Sequence, residues 1–240
     1  MFDVITKSGE YTLVDQKKQA DYTYAEYEEA LDELVESWQR GDTPYLSLII
    51  DPAFETKLLS MGFSKTTRIV EHERKSLSDL EGLPSQPYVI LAFSAMSDEE
   101  FGEYYEACKS GSANKNQLFT TKQLLESLHL ELGNDWRKLV MLFQEKDEFI
   151  GLAIPHIEAG TISEGRLFYF GMKPNWRGKG KTTACHAAAL KKLHELGATT
   201  YVGSTDIANE AMIHVMDKNG ASERDCKGIY KLTRKDLPSF

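Results

Sequence analysis

The sequence predicts a mixed α/β fold in two units of unequal size. Helical and strand-like patterns alternate along the 240 residues, and short polar turns separate several of the strands. Residues 1–85 carry 17 Asp and Glu against 9 Lys and Arg, whereas residues 86–240 carry 20 against 19. Two prolines and a glycine interrupt the pattern at 81–87. We therefore expect domains at 1–85 and 86–240.

The first unit is expected to follow the order helix, strand, helix, strand. Thr23 with Glu26 forms a capping-box signature, and Gly41 ends the helix that it opens. An Asp-Pro pair supplies the N-cap and first turn of a second helix. The predicted elements are a helix over 23–41, a strand over 45–50, a helix over 51–61 and a strand or hairpin over 63–74.

The second unit adds two helices with capping boxes and a hairpin. Ser97 with Glu100 and Thr120 with Gln123 are the two helix starts. The hairpin is indicated by a charged four-residue turn between two apolar segments. The predicted elements are a strand over 88–95, helices over 97–109 and 120–132, and strands over 139–143, 149–157 and 167–172.

Composition excludes several classes of protein. With 41% apolar residues, a chain of this length can bury a full-sized core. No run of about 18 apolar residues indicates a membrane span, and the N-terminus lacks the apolar segment of a secretory signal. The net charge of -9 argues against a protein that coats nucleic acid. Three widely spaced cysteines, Cys108, Cys185 and Cys226, predict no disulfide framework and favour the cytoplasm.

The most specific signal follows the strand over 167–172. Gly178 and Gly180 allow the backbone to turn tightly just before a helix that Gly197 stops, so several N–H groups can point at one anion where the helix dipole is positive. Four cations lie within nine residues: Lys173, Arg177, Lys179 and Lys181. Such a segment is suited to binding phosphate or pyrophosphate.

Three short-motif interpretations of this loop compete. Residues 180–182 nearly satisfy a nucleotide P-loop, but the required first glycine is Asn175. A dinucleotide fingerprint begins at Gly178 but has Thr183 at its last position, and the next strand does not end in a ribose-binding acid. A basic surface turn is the third alternative.

The surrounding elements favour a further interpretation. A strand, an R-x-x-G-x-[GA]-like loop, a long helix, a strand and an Asn-led helix ending in Asn-Gly resemble the GNAT superfamily of acyl-CoA-dependent N-acyltransferases. The residues that carry the resemblance are 168–174, Arg177, Gly180, Thr182, 209–212 and 219–220. The resemblance covers about 88–232. It implies a mixed, mostly antiparallel central sheet flanked by helices.

The resemblance also implies a cofactor and its binding residues. Loop amides would hold the pyrophosphate of acetyl-CoA, backbone groups of the preceding strand would bind the pantetheine and polarise the thioester carbonyl, and Asn209 would reach the pantetheine arm. The implied cofactor-binding residues are Phe170, Gly171, Met172, Arg177, Gly178, Lys179, Gly180, Lys181, Thr182, Thr183 and Asn209. A neutral amine attacks the thioester directly, so the protein supplies positioning, hydrogen bonds and proton transfer without a metal.

Two departures from the family pattern leave the proton-transfer roles open. Thr182 stands where the loop motif has Gly or Ala. Met216 stands where the family often has a tyrosine that protonates the leaving thiolate, and a thioether has no proton to give. The candidate catalytic residues are Tyr230 on the terminal strand and Glu158 and Glu164 beside a turn between two strands.

The first unit resembles the second half of the same fold. The parallel segments are 30–34 with 189–193, 43–46 with 199–202, and 61–63 with 219–221. Nothing in 1–85 matches the loop at 177–182, so this truncated GNAT-like half is not expected to bind coenzyme A. Extension of the sheet, shaping of an acceptor pocket and homodimer formation are its alternative roles.

We therefore expect an acetyl-CoA-dependent N-acetyltransferase of the cytoplasm that acts on a primary amine of a small molecule or peptide. Neither nucleic acid nor a membrane is an expected partner. The acidic first unit would favour a cationic amine if it borders the acceptor cleft. The alternative is a non-catalytic acyl-CoA sensor or interaction protein.

Overall fold

The computed structural model describes residues 1–17, 21–80, 82–83, 89–92, 97–113 and 120–236. The chain divides into two compact units. The first comprises Met1–Val70 with the C-terminal segment from Asp225, and the second comprises Glu71–Arg224. The composition-based boundary near residue 85 falls within the second unit, and the assignment of domains at 1–85 and 86–240 stays a prediction.

The first unit contains a sheet and two helices. Its elements are β1 (Phe2–Lys7), β2 (Tyr11–Gln16), α1 (Tyr24–Arg40), β3 (Tyr45–Ile50), a 3₁₀ turn (Pro52–Phe54), α2 (Glu55–Ser60) and β4 (Ser64–Arg74), completed by most of β10 (Ser222–Thr233). The strands β1, β2, β3 and β10 are neighbours in this order. Strands β2 and β3 are parallel, and the β1–β2 and β3–β10 pairs are antiparallel.

The hairpin of β1 and β2 is absent from the sequence-based expectation. β1 exposes five of its six residues, so it carries no apolar alternation. In β2 the buried positions are Thr12, Val14 and Gln16, of which two are polar. Thr12 and Thr43 share a hydrogen bond of 2.9 Å, and the Gln16 side chain accepts one from the Asp51 amide. Polar satisfaction therefore replaces the hydrophobic pattern that would have revealed these strands.

One face of α1 is buried in the core of the first unit. The capping box of Thr23 and Glu26 opens the helix as predicted. The buried residues Tyr27, Leu31, Val35 and Trp38 recur at helical spacing and pack in one cluster with β3.

The second unit has a five-stranded sheet with helices. Its elements are β5 (Val89–Ala92), α3 (Asp98–Lys109), α4 (Thr121–Leu132), a 3₁₀ turn (Trp136–Leu139), β6 (Met141–Glu145), β7 (Glu148–Ile157), β8 (Glu164–Met172), a 3₁₀ turn (Pro174–Trp176), α5 (Thr182–Glu195), β9 (Thr200–Asp206) and α6 (Glu210–Lys218). The strand order is β9-β8-β7-β6-β5. Only β8 and β9 are parallel among these pairs. The expected mixed, mostly antiparallel sheet flanked by helices is confirmed.

The predicted charged turn joins β6 to β7. Lys146 and Asp147 have φ of 49° and 65°, the left-handed conformation of both central residues in a tight hairpin. The predicted strand over 88–95 and loop over 110–116 fall partly outside the described residues. Within the described ranges, no helix is long and apolar enough to cross a membrane.

The same sequence of elements occurs twice along the chain. In the first, a hairpin (β1–β2), a helix (α1), a strand parallel to the hairpin (β3) and a short helix (α2) lead into β4. In the second, the hairpin β7–β8, then α5, β9 and α6 lead into β10. The two short helices also end alike, since Gly62 and Gly220 have positive φ and the next amide donates back to Leu58 O or Met216 O at 3.0 Å. The internal repeat expected from sequence is present in the fold.

The core between α3, α4 and the sheet of the second unit depends on Trp136. Its side chain is fully buried, and its ring meets Phe101 edge-on at 4.7 Å between centroids. We expect Trp136→Ala to lower the free energy of unfolding by about 3–5 kcal/mol, because the large cavity cannot be refilled. In a urea titration, Leu130→Ala should change this free energy by less than about 0.5 kcal/mol, since Leu130 is 86% exposed. Equal losses for the two variants would contradict the packing described.

Candidate active site

The site is created by the divergence of two parallel strands. β8 and β9 pair only at Glu164 with Thr200 and at Gly165 with Tyr201, although both strands are fully described and continue further. β8 remains paired with β7 along its other edge as far as Met172. Backbone N–H and C=O groups on the β9-facing edge are therefore left without a ladder partner from β9 beyond the first two residues. Such an edge is suited to hydrogen bonding by an extended ligand.

A bulge changes the direction of the middle of β8. Ile154 pairs with Tyr169 and Pro155 pairs with Leu167, so Phe168 is the extra residue. Pro155 has no N–H to donate to a ladder, which accounts for the break at this position. The bulge turns the strand where it lines the opening between β8 and β9.

A cavity of about 550 Å³ fills this opening. Residues from α3, β8, the following loop, the start of α5, β9 and α6 form its wall. Of the predicted cofactor-binding residues, the wall includes Phe170, Gly171, Met172, Arg177, Gly178, Gly180, Thr182, Thr183 and Asn209. Lys179 and Lys181 belong to the same loop but do not line the cavity. The structure thus gathers most of this set at one place, and the assignment of the set to a cofactor stays a prediction.

The loop at the end of β8 lines this cavity at Gly178 and Gly180. Gly178 and Gly180 have φ of +69° and +71°, a conformation that L side chains rarely adopt. α5 begins at Thr182, and its N-cap Lys181 makes no side-chain cap hydrogen bond. The first-turn N–H groups of a helix have no intrahelical acceptor. An anion at this position would meet both these donors and the positive end of the helix dipole.

The lysines of the loop are engaged with other side chains. Lys173 lies 3.1 Å from Glu148, and Lys181 lies 2.6 Å from Glu145. The ammonium of Lys179 lies 5.2 Å from the centre of the Trp176 ring. These contacts compensate much of the positive charge that the sequence concentrates here. Anion binding by the loop therefore depends more on its backbone than the count of cations suggests.

Arg177 has a structural role that the motif did not reveal. Its guanidinium donates to the carbonyl oxygens of Met172 at 3.0 Å, Cys108 and Gly111 at 2.7 Å, and Ser110 at 2.8 Å. The side chain thus ties the end of β8 to the end of α3. Four of the five N–H donors of the guanidinium are used in these hydrogen bonds, which fix one wall of the cavity.

Tyr105 adds a polar atom that sequence reasoning missed. Its residue is fully buried, it lines the cavity, and its hydroxyl has no hydrogen-bond partner among the described residues. Burial raises the pKa of Tyr105 to about 12, so the hydroxyl keeps its proton. An orphaned buried hydroxyl is suited to a polar group of a ligand. A single tyrosine on an amphipathic helix gives no sequence signal of this role.

Asn209 lies in the cavity wall with its side chain already bonded. It is the N-cap of α6: its amide oxygen accepts from the Met212 N–H at 3.3 Å, and its amide nitrogen donates to the Thr205 hydroxyl at 3.0 Å. The predicted contact with a pantetheine arm would use the remaining N–H.

Glu158 and Glu164 are both partners of one arginine. The guanidinium of Arg166 lies 2.7 Å from the carboxylate of Glu164 and 3.6 Å from that of Glu158. It also lies 3.5 Å from the carboxylate of Glu71. Neither Glu158 nor Glu164 lines the cavity. Both carboxylates are thus engaged by the same guanidinium. Their catalytic role stays a prediction.

Tyr230 lies in the core of the first unit. It is fully buried, and its hydroxyl donates to Glu55 at 2.8 Å. Lys65 and Arg68 also contact this carboxylate. Hydrogen bonds from Lys65, Tyr230 and Arg68 lower the pKa of Glu55 to about 2. The hydroxyl is thus fixed by a structural partner, and its predicted catalytic role remains untested.

Comparison with known proteins settles the family. A model of the GNAT acetyltransferase domain matches residues 88–222. The chain belongs to the GNAT family. Comparison with curated proteins finds no match.

Solved GNAT structures share the fold across the whole chain. A GCN5-related N-acetyltransferase from Sphaerobacter thermophilus has a TM-score of 0.70 at 14% identity, covering 100% of this chain and 77% of its own. A tandem GNAT protein from the clavulanic acid biosynthesis pathway has a TM-score of 0.64 at 15% identity, and the match covers 100% of this chain and 79% of that protein. An acetyltransferase of the GNAT family from Colwellia psychrerythraea has a TM-score of 0.61 at 13% identity, and the match covers 97% of this chain and 81% of that protein. The likeness to the tandem protein agrees with a partial GNAT-like half before the GNAT domain.

The Glu55 cluster predicts a dependence of stability on pH. The folded-state pKa of about 2 lies below the value of about 4.3 for a free glutamate, so ionised Glu55 stabilises the fold above pH 4.3 and loses this effect as the pH falls through 2. We expect the difference in unfolding free energy between the wild type and Glu55→Gln to be largest above about pH 5 and to shrink toward pH 2. Denaturant titrations across this range measure it. A difference that is independent of pH would contradict the assignment.

Proposed function

We propose that the protein is an N-acetyltransferase that transfers the acetyl group of acetyl-CoA to a primary amine of a small molecule or peptide. One observation carries the proposal: a cavity between diverging strands that opens on two positive-φ glycines and an uncapped helix start. This arrangement offers an anion site at one end and unpaired strand edge along its length. A long cofactor with a diphosphate and an amide-containing arm has matching chemistry.

The residues of the loop would hold the diphosphate. The N–H groups at Gly178, Gly180 and the first turn of α5 are the donors, and neither glycine has an atom within 4 Å of the position that a Cβ would take. This open space admits a phosphate close to the backbone. The strand edge at Phe170–Met172 adjoins the loop, and the backbone groups that alternate residues present there would bind the amides of the pantetheine arm.

In direct acetyl transfer, the main contribution of the protein is to position the two reactants. The lone pair of a neutral amine attacks the thioester carbonyl carbon, the new C–N bond forms, and the C–S bond breaks with its electron pair on sulfur. The amine nitrogen loses a proton. Holding the arm along β8 fixes the carbonyl for attack, and exclusion of water by the cavity wall prevents hydrolysis of the thioester.

A group of charged residues in the second unit supports a cationic acceptor. The carboxylates are Glu71, Glu73, Glu158 and Glu164, and the cations are Arg166 and Arg224, which leaves an excess of two negative charges. Ser204 lines the cavity and donates to Glu71 at 3.0 Å. The negative excess thus begins at the cavity wall, and its potential would attract an ammonium group before deprotonation.

A second candidate function is a non-catalytic acyl-CoA sensor or interaction protein. Met216 is buried and lines the cavity, and its thioether cannot donate a proton. The two candidates share cofactor binding and differ in turnover.

Location and assembly are part of the proposal. Cys108, Cys185 and Cys226 form no disulfide within the described residues, which supports a reducing compartment such as the cytoplasm. Homodimer formation is supported by β1, the outermost strand in the sheet order, which exposes Val4 and Ile5.

Gly180→Glu tests the cofactor site. A carboxylate in the open space beside the loop amides would occupy the anion position, so we expect affinity for acetyl-CoA in calorimetric titration to fall by about 100-fold or more. Gly9→Glu is the matched control: Gly9 also has φ of +71° and open space, but lies in the β1–β2 turn. Its affinity should equal that of the wild type. Equal affinities for both variants would show that the wrong loop has been identified.

A thiol-release assay against a panel of primary amines separates the two candidate functions. Binding with turnover supports the acetyltransferase, and binding without turnover supports the sensor. Failure of the wild type to bind acetyl-CoA would overturn both.

A further inference from the structure

Hydrogen bonds link three buried side chains in a row that ends at the cavity wall. The Asn219 amide nitrogen lies 3.0 Å from Thr183 O and 2.8 Å from His186 Nδ1, and His186 Nε2 lies 3.0 Å from the Tyr201 hydroxyl. All three residues are at most 1% exposed. Tyr201 and Thr183 line the cavity. The sequence alone assigns no role to Tyr201 or His186.

The hydrogen bonds fix the direction of every proton in this row. Thr183 O is a pure acceptor, so the NH₂ group of Asn219 must face it rather than the amide oxygen. The second hydrogen of the NH₂ group then points at His186 Nδ1, which must be the acceptor. Burial lowers the pKa of His186 to about 3, so its ring is neutral with its one proton on Nε2. Nε2–H therefore donates to the Tyr201 oxygen.

This polarity leaves the Tyr201 proton free. The oxygen accepts from His186, and His186 is the only hydrogen-bond partner of this hydroxyl in the part of the chain that the structure describes. Its own hydrogen therefore points away from His186. Burial raises the pKa of Tyr201, so the proton stays on the oxygen. A hydroxyl that already accepts a hydrogen bond becomes a stronger donor.

The hydroxyl lies at the inner end of the cavity. A Cβ placed on Gly203 would be 2.1 Å from the Tyr201 oxygen and 2.9 Å from the Met216 sulfur, so the hydroxyl lies beside Met216. Tyr201 is also the last residue of β9 that pairs with β8. The glycines of the anion-binding loop lie past the opposite, C-terminal end of β8. A cofactor with its diphosphate at that loop would extend inward along β8, toward Tyr201.

Resting on the proposed function, we propose that the Tyr201 hydroxyl donates a hydrogen bond to the thioester sulfur as the C–S bond breaks, and that His186 and Asn219 are positioning residues that hold its proton toward the cavity. The C–S electron pair passes to sulfur, and the thiolate accepts the hydrogen bond without taking the proton. The proton lost by the amine goes to solvent, so Tyr201 ends the cycle unchanged. This places a donor beside the residue that lacks one, Met216.

Tyr201→Phe tests the donor itself. We expect turnover to fall by about 10²-fold, as for loss of one donor to developing charge, while the affinity for acetyl-CoA changes by less than about threefold. The loss should shrink with an acyl donor whose leaving thiol is more acidic, such as an aryl thioester, because its thiolate needs less stabilisation. A merely structural role would not produce this dependence. Tyr104→Phe is the control, since Tyr104 packs on Phe149 and does not line the cavity.

Asn219→Asp tests the direction of the protons without removing Tyr201. A carboxylate would accept from His186 Nδ1–H, and Nε2 would then accept the Tyr201 proton and turn it away from the cavity. We expect turnover to fall as it does in Tyr201→Phe. Nitrogen-15 NMR of histidine-labelled protein reads the tautomer directly: protonated Nε2 in the wild type and protonated Nδ1 in the variant.

The outcomes separate this inference from the proposed function. Protonated Nδ1 in the wild type overturns the inference, whether or not the protein turns over. Turnover of Tyr201→Phe within about twofold of the wild type also overturns it. If acetyl-CoA does not bind the wild type, the proposed function fails, even where the NMR tautomer is as expected; the role of Tyr201 toward sulfur then fails with it.

Discussion

The incomplete pairing of β8 with β9 is the constraint on which the site depends. Two parallel strands that pair at only two positions leave an unpaired backbone edge, and that edge would be costly if it faced only protein. Around it the fold places a bulge at Phe168, a loop of two positive-φ glycines and a helix without a side-chain cap. Features of these kinds can leave backbone groups without an intrachain partner, and residues of all three line one cavity. A ligand with matching donors and acceptors would satisfy them together.

The charged side chains of the loop contact other groups of the protein rather than standing free to bind an anion. The guanidinium of Arg177 donates hydrogen bonds to carbonyl oxygens at the end of β8 and around the end of α3. Lys173 and Lys181 form ion pairs with glutamates. The cluster of four cations therefore indicates a loop that lines the cavity, although three of these side chains are engaged with other parts of the protein. In the proposed function, backbone amides would therefore be the principal anion donors. An acidic protein could in this way bind a phosphate without a large positive patch.

Much of the fold and the location of the cavity could be predicted from local patterns. Capping boxes at Thr23, Ser97 and Thr120 fixed three helix starts, and the loop at 177–182 marked the cavity. The β1–β2 hairpin escaped prediction because polar pairs satisfy its buried positions. Tyr105 and Tyr201 escaped prediction for another reason. Their roles depend on hydrogen bonds to residues distant in sequence, or on the lack of one, and no spacing rule reports such relations.

The internal repeat shows how the same order of elements can differ at one helix N-terminus. In both halves a hairpin strand leads into a helix whose N-terminus could bind an anion. At the start of α1, Thr23 accepts from the Glu26 amide and Glu26 accepts from Thr23, so the helix satisfies its own donors and places a carboxylate at its positive end. At the start of α5 no side chain does so. The same element order therefore closes one helix terminus and leaves the other open, which is a difference of a few side chains rather than of fold.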